Sequence, residues 1–216
     1  MATIANRNRC LNARRLHMIG VHMTGTKRAH ATSIPKWYLL SDIHRLNDPV
    51  PLLKNLPRGA AVIVRHPDPR QLLELCKRIV PQAHALHIRV LVAGDPRVAV
   101  AGGADGIHLS EQVARRGPPR PRIAKPDWLI TAAAHGRRAL ARARCAGAHA
   151  ILLSPVFPTD SHPEAQALGL LRFSRLARAS RRPVIALGGI DEDTAQRLRL
   201  SPAVGIAAIG WWGPAS

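Results

Sequence analysis

The chain has 216 residues, a hydrophobic share of 46% and a formal net charge of +19. This length is enough for one domain with a sizeable core, and no apolar run approaches the ~20 residues that a membrane-spanning helix needs. The three cysteines, Cys10, Cys76 and Cys145, are odd in number and lack CxxC spacing. This pattern argues against a disulfide framework or a zinc cluster and favours the cytoplasm. Cys145 lies in a predicted helix, and we expect its side chain to be packed in the core.

The positive charge is mostly arginine and is spread over the whole length of the chain. Such a balance raises the expectation of polyanionic partners: nucleic acid, acidic lipid or phosphorylated metabolites. The aromatic share is only 3%, which is too low for the stacking platforms that bind single-stranded nucleic acid. We therefore expect small phosphorylated metabolites as partners, no specific nucleic acid and no membrane, and we leave a homo-oligomer open.

The first 33 residues differ in composition from the rest. Residues 1–33 hold six Lys or Arg and no Asp or Glu, and they show no hydrophobic periodicity. Histidines interrupt the apolar part at 16–23, which lacks the continuous core of a secretory signal. We expect a disordered basic leader; an organelle transit peptide, or a true start at Met18 or Met23, is left open.

Eight short apolar segments after Lys36 predict eight β-strands, because each is only as long as a buried strand and ends in turn residues. They are 37–42, 60–65, 90–94, 106–109, 128–134, 150–153, 183–187 and 204–210.

Helical patterns separate most of these strands. Asp68-Pro69 and Asp95-Pro96 are typical helix starts, and Asp191 is a typical N-cap. Strands alternating with helices predict an α/β fold, a compact (β/α)8 barrel over residues 37–213. A doubly wound sheet is the alternative, but the strand count and the absence of an early GxGxxG favour the barrel. The predicted helices are 50–56, one that begins at Asp68, 95–101, 136–146, 170–180 and 194–200.

The segment 150–163 organises the rest of the chain. Its strand is apolar on both faces, as expected of a buried parallel strand, and it runs into a polar loop with Ser154, Thr159 and His162. Such loops at carboxyl ends of strands are where α/β proteins bind ligands. An ordinary loop with polar filling is the alternative.

Glycines follow the last two predicted strands. Gly188-Gly189 and Gly210 let backbone N–H groups approach an anion without a Cβ in the way. The loops after strands seven and eight are the usual phosphate site of this fold. We expect a phosphate site here; the alternative is that the glycines only form turns.

Three further side chains are candidates for chemistry. Arg65, at the end of the second strand, suits phosphate or pyrophosphate, unless it is only a solvated arginine at the rim. His135 suits acid or base catalysis, or it caps the next helix. His108 lies within a strand and is expected to be a hydrogen-bonded core histidine. Ser154 has no GxSxG context, so we do not interpret it as a hydrolase nucleophile.

These residues together resemble the thiamine phosphate synthase and thiazole tautomerase (TenI-like) family, with this chain as a divergent member. The similar segments run in family order and cover nearly everything after Lys36. They are 38–42, 103–109, 154–159 with Gly169-Leu170, and 183–190.

The resemblance implies the barrel and a transferase of thiamine biosynthesis. Such synthases join hydroxymethylpyrimidine pyrophosphate to thiazole phosphate and expel pyrophosphate with the help of Mg²⁺. It also implies that Arg65 meets the pyrimidine substrate or its pyrophosphate, and that Thr159 and its loop cover the reacting groups. The backbone amides expected to hold the thiazole phosphate are those of Gly188, Gly189, Ile209 and Gly210.

The sequence departs from the family pattern in the half of the site that binds metal and pyrophosphate. The family's Gln-x-Arg-x-Lys reads Ile63-Val64-Arg65-His66-Pro67 here, so only the arginine remains. The metal ligands are therefore unknown, with Asp95 and Glu111 as displaced candidates. The other departures are Ala93-Gly94 for Asn-Asp, Val113 for the acidic ligand, Ala133 for a serine and His162 for a lysine.

Three functions are consistent with this pattern. The first is a synthase-like transferase that uses Mg²⁺, with Asp95, Glu111 and His162 substituting for the lost residues. The second is a thiazole tautomerase-like isomerase, which needs no metal and in which His135 matches the acid–base position. The third is a noncatalytic barrel that binds a phosphate ligand. We adopt the first as the expected function.

Overall fold

The computed structural model of the chain describes residues 33–117, 127–159, 164–209 and 211–212. Within them, eight parallel strands close into a barrel in sequence order, which confirms the predicted (β/α)8 fold. All but the last residue of the predicted leader lies outside the described residues. The strands are β1 (Trp37–Leu40), β2 (Ala61–Arg65), β3 (Arg89–Ala93), β4 (Gly106–Leu109), β5 (Leu129–Ala134), β6 (Ala150–Leu153), β7 (Val184–Leu187) and β8 (Gly205–Ala208).

Helices connect these strands on the outside of the barrel. No described helix is both long enough and apolar enough to span a membrane. The helices are α1 (Val50–Leu53), α2 (Pro69–Ala85), α3 (Pro96–Ala101), α4 (Glu111–Ala114), α5 (Arg137–Cys145), α6 (Gly169–Ala179) and α7 (Glu192–Arg197), followed by a 3₁₀ turn at Leu198–Leu200.

The helix starts follow the predicted signals. The carboxylates of Asp68 and Asp95 accept hydrogen bonds from the backbone N–H groups of Arg70 and Arg97, so each satisfies an orphan donor of its helix. Asp191 and Thr194 form a reciprocal capping box at α7.

Three details of the sequence-based prediction were wrong. α1 ends at Leu53 rather than at residue 56, and the short helix α4 was not predicted, because four residues are too few to show a helical period. Cys145 is exposed, since it lies on the outer side of α5, whereas Ala139, Leu140 and Ala143 form the buried side.

The alternation of side chains along the strands divides the apolar residues into two cores. Every second side chain of a strand points outward and packs against the helices, as Ile107 and Leu109 of β4 do. The other points into the barrel, where a second cluster fills the interior, so the barrel is a packed core rather than a pore. The buried members of this inner cluster are Tyr38, Leu40, Ala61, Ile63, Leu91, Leu129, Ala150, Leu152, Ile185 and Ala207.

Gly106, at the start of β4, leaves no room for a side chain. A Cβ atom there would lie 1.9 Å from the backbone oxygen of Leu129 on the neighbouring strand β5. We expect Gly106→Ala to lower the free energy of unfolding by about 3 kcal/mol or more, because a backbone atom cannot move aside cheaply. Urea denaturation followed by circular dichroism measures the change.

Gly136→Ala is the matched control. Its backbone is extended, with φ 176°, and a Cβ there meets no atom within 4 Å. We expect a loss below about 1 kcal/mol, from the weaker N-cap alone. Equal losses in the two variants would contradict the proposed clash.

Candidate active site

Polar side chains collect at the end of the barrel where the carboxyl ends of the strands meet, which we call the mouth. Arg65, His108 and Thr131 continue the inward-facing rows of β2, β4 and β5, since their neighbours Ile107 and Ile130 belong to the outer core. Apolar side chains fill the interior behind them. The mouth is therefore a polar layer above a packed apolar interior, as in barrel enzymes.

Arg65 is held in place by the residues that follow β1. Its Nε donates to the backbone oxygen of Ser41 over 2.7 Å, and its Nη2 forms an ion pair with Oδ2 of Asp42. Its backbone N–H donates to the buried hydroxyl of Ser41 over 2.8 Å. We call this set of contacts the Ser41–Asp42 clamp; it fixes the direction in which the guanidinium points.

Asp42 is itself fixed by its own loop. Its Oδ1 accepts the backbone N–H groups of His44 and Arg45, each over 3.1 Å. Burial raises the pKa of the Asp42 carboxyl, but these two N–H groups and the Arg65 guanidinium outweigh it, and the pKa falls below its usual value. Asp42 is therefore ionised at neutral pH and neutralises part of the Arg65 charge.

His108 lies in the same row of paired strand residues as Arg65, two strands away. Its Nδ1 is 2.9 Å from Oγ1 of Thr131 on the neighbouring strand. Desolvation of the half-buried ring, and secondly the positive charge of Arg65, lower the pKa of His108 to about 4. The imidazole is therefore neutral at neutral pH and offers one donor and one acceptor. The sequence-based expectation of a hydrogen-bonded histidine in the strand agrees with this geometry.

His135 and Ser154 lie at the ends of the neighbouring strands β5 and β6. Nδ1 of His135 is 2.9 Å from the backbone oxygen of Ser154 and 3.3 Å from its hydroxyl. Because a carbonyl oxygen only accepts, the shorter contact places a proton on Nδ1 and leaves the lone pair on Nε2. The exposed ring is thus oriented by backbone, and it does not cap α5, whose N-cap is Gly136.

The turn after β7 is packed against the loop after β6. Gly188 and Gly189 have φ values of +96° and +62°, and Cβ atoms on them would lie 2.8 Å from Pro155 and 2.2 Å from the oxygen of Pro158. The N–H groups of Val156 and Phe157 donate to the oxygens of Leu187 and Gly188 over 2.9 and 3.1 Å. Only glycine fits at both positions.

The end of β8 lies beside this turn. The last residue pair between β7 and β8 is Leu187 with Ala207, and Ile209 follows two residues after Ala207. The side chain of Ile209 packs against the inner core. Thr159 is half-buried in the loop after β6. Gly210 and His162, the other two predicted ligand-binding residues, lie outside the described residues.

The two displaced metal candidates are engaged elsewhere. Asp95 caps α3, and Glu111 lies 3.4 Å from Arg115 and 3.8 Å from Arg142. Among the residues that the structure describes, no group of three or more His, Cys, Asp or Glu side chains could hold a metal ion. The structure thus gathers Gly188, Gly189 and Ile209 at one side of the mouth without joining them to Asp95 or Glu111.

Sequence reasoning missed two features of this mouth. The inward position of Thr131 beside His108 could have been found from strand alternation, because Thr131 lies between the outward-facing Ile130 and Ala132. The cation–π contact between Arg197 of α7 and Phe157, 4.9 Å from the ring centroid, has no sequence signal, since 40 residues separate the two.

Fold and site together define a (β/α)8-barrel protein whose polar residues lie where barrel enzymes bind their substrates. A family model described as "Thiamine monophosphate synthase" (TMP-TENI) matches residues 38–211. The chain belongs to this family, which confirms the resemblance found in its motifs.

Similar proteins are consistent with this family. A putative thiamine-phosphate synthase 2 of Aquifex aeolicus is 31% identical over 181 residues, which cover 82% of this chain and 96% of that protein. A putative thiamine-phosphate synthase of Geobacter sulfurreducens is 30% identical, with 80% and 84% covered. A thiamine phosphate pyrophosphorylase structure from Pyrococcus furiosus shares the fold, with a TM-score of 0.63, 22% identity, and 81% and 85% covered.

We expect the lowered pKa of His108 to make the protein less stable in mild acid. Below pH 6.5, the unfolded chain protonates this histidine first, so its contribution to stability is complete above pH 6.5 and is lost as the pH falls toward 4. The loss should be about 2 kcal/mol between pH 7 and pH 5. It is measured as the difference in free energy of unfolding between wild type and His108→Gln at each pH.

The exposed residue Gln112 provides the control, because its replacement changes no ionisable group. Gln112→Ala should lose stability with falling pH in parallel with the wild type, while His108→Gln should show the smaller loss. Parallel curves for wild type and His108→Gln would contradict a desolvated, neutral His108.

Proposed function

We propose that the chain is a thiamine phosphate synthase-like transferase, which joins hydroxymethylpyrimidine pyrophosphate to thiazole phosphate. The observation that carries the proposal is the family match, which spans the whole barrel from residue 38 to residue 211. The barrel domain of the proposal is 37–213, preceded by the basic leader 1–33. We propose small phosphorylated metabolites as the partners of the protein and the cytoplasm as its compartment.

The thiazole phosphate is proposed to bind at the turn after β7. Its oxygens would be held by backbone amides of Gly188, Gly189, Ile209 and Gly210. The close packing of Gly188 and Gly189 supports this assignment, because no side chain fits between this turn and the loop after β6. The carboxylate of Asp191 already accepts a hydrogen bond from the backbone N–H of Thr194 in the first turn of α7. The turn rather than the helix is therefore assigned to the phosphate. Gly210 and His162 enter on the resemblance alone.

Arg65 is proposed to bind the pyrophosphate of the pyrimidine substrate. In the transfer, the bond between the pyrimidine methylene carbon and the pyrophosphate oxygen breaks, and its electron pair leaves with the pyrophosphate. The thiazole ring supplies the pair for the new bond. A fixed guanidinium stabilises the charge that develops on the leaving group without reorganising, and the clamp supplies that fixity. Thr159 and its loop would cover the reacting groups.

His135 is proposed as an acid–base group beside the thiazole site. The contact between its Nδ1 and the oxygen of Ser154 supports this role, because it leaves Nε2 as the acceptor nitrogen. In the isomerase alternative this histidine would carry the proton transfer, and no metal would be needed. That alternative is favoured by this one contact only, whereas the family match favours the synthase.

Mg²⁺ is the cofactor that the synthase proposal carries, and it would polarise the pyrophosphate. The described side chains do not fit a magnesium ion held by several carboxylates, since Asp95 caps a helix and Glu111 pairs with two arginines. No step of the transfer is therefore assigned to the metal. That Asp95 and Glu111 serve as displaced metal ligands stays a prediction.

The test is an assay of the purified chain with both substrates, with Mg²⁺ or with a chelator, followed by mass spectrometry. The proposal predicts thiamine phosphate and an equal amount of pyrophosphate. Isomerisation of a thiazole tautomer alone, lost in His135→Ala, would replace the proposal by the isomerase. Binding of thiazole phosphate with neither reaction would show a noncatalytic barrel.

We expect Asp42→Asn to slow the transfer through Arg65. Loss of the carboxylate frees the guanidinium from one of its two anchors, so kcat/KM should fall by about tenfold to a hundredfold. The KM for the pyrimidine pyrophosphate should rise while the KM for thiazole phosphate stays unchanged, because only one half of the site is disturbed. Steady-state kinetics with each substrate varied in turn measures both.

Two variants bracket this prediction. Arg65→Lys should lose more activity than Asp42→Asn, since an ammonium cannot make both contacts of the guanidinium fork. Glu74→Gln, which removes an exposed carboxylate paired with Lys77 on α2, should leave the rate unchanged. An unchanged KM for the pyrimidine substrate in Asp42→Asn would refute the role of the clamp.

A further inference from the structure

Most of the positive charge of this chain has no role in the proposed reaction. Two small anionic substrates need a few cations at the mouth, yet the net charge is +19. A large part of the excess lies on the outer helices, away from the polar layer of the mouth. The question is therefore whether any part of the outer surface concentrates it.

The helices α5 and α6 carry the densest cationic surface among the described elements. Neither helix contains an Asp or Glu. On α6, Arg172, Arg175 and Arg178 repeat every third residue, so they lie along one side, about 4.5 Å apart along the axis. Exposed arginines on the two helices are Arg137, Arg138, Arg144, Arg172, Arg175 and Arg178, which we call the arginine face.

The two helices are neighbours around the barrel. α5 connects β5 to β6 and α6 connects β6 to β7, and these three strands are adjacent in the sheet. Ala143 of α5 and Phe173 of α6 both face the outer core. The exposed arginines of the two helices therefore point away from the barrel, on neighbouring parts of its outer surface.

The arginine face lacks the acidic partners that two basic residues of α2 have. On α2, Lys77 pairs with Glu74 and Arg78 pairs with Asp48. Within residues 33–117, 127–159, 164–209 and 211–212, no ion pair involves any arginine of the arginine face. Their charges repel one another without compensation, so an external polyanion would relieve the repulsion.

We propose that the arginine face binds the phosphate backbone of duplex nucleic acid without reading its sequence. A duplex presents about one negative charge per 1.7 Å of its axis, which matches a surface of closely spaced arginines. Single strands are disfavoured, because neither helix exposes an aromatic ring for stacking. An acidic membrane is disfavoured, because Leu171 is the only large apolar side chain that these two described helices expose.

The test measures binding of the full chain to a labelled DNA duplex by fluorescence anisotropy, from about 50 mM to about 200 mM salt. In Arg172→Gln/Arg175→Gln/Arg178→Gln, the negative slope of log K against log salt should become shallower by about 2 to 3, since each lost phosphate contact removes about 0.9 from its magnitude. The affinity at the lowest salt should fall by about tenfold or more.

The control removes the same charge from the opposite side of the barrel. Lys54, Arg58 and Arg70 are exposed, and Lys54→Gln/Arg58→Gln/Arg70→Gln should weaken binding by less than about threefold, through net charge alone. The basic leader is present in both triple variants, so its contribution cancels. Thermal unfolding of both variants checks that they are folded.

Three results would overturn the proposal. These are equal weakening in the two triple variants, absence of duplex binding at the lowest salt, and binding to vesicles containing phosphatidylserine but not to DNA. Because duplex binding is measured without substrates, and Arg172, Arg175 and Arg178 are not among the residues assigned to the reaction, these outcomes are independent of whether the chain makes thiamine phosphate.

Discussion

The close approach of two backbone segments, the Gly188-Gly189 turn and the loop after β6, is the constraint on which the site depends. Both glycines lie in the left-handed region, and each faces backbone or proline atoms where a Cβ would stand. Two hydrogen bonds from Val156 and Phe157 join the segments. The part of the mouth proposed to bind phosphate is therefore made of main chain, whose geometry tolerates little change in sequence at these two positions.

The other half of the mouth depends on charge. Arg65 takes its direction from Ser41 and Asp42, and the nearby His108 is neutral. A divergent member can keep one guanidinium in position by a clamp from the preceding strand, even where other cationic and acidic side chains have changed. This division agrees with the expectation from the family resemblance, in which the glycine motif is kept and the segments expected to bind metal and pyrophosphate are changed.

Strand number, barrel closure and the helix caps at Asp68, Asp95 and Asp191 could be predicted from sequence, because period, proline and capping chemistry act locally. Helix α4 and the exposure of Cys145 could not, since four residues carry no period and the register of α5 is set by packing. The clamp joins residues 23 and 24 apart, and Arg197 reaches Phe157 only through the fold. Such contacts follow from tertiary packing, for which a single sequence has no local signal.

The central claim is that main chain after β7 and β8, rather than side chains, holds the phosphate of the thiazole substrate. A crystal structure of the chain with bound thiazole phosphate tests it most directly. The account predicts phosphate oxygens within hydrogen-bond distance of the backbone nitrogens of Gly188 or Gly189 and of the segment after Ile209. A phosphate bound instead at Arg65, or outside the mouth, would contradict it.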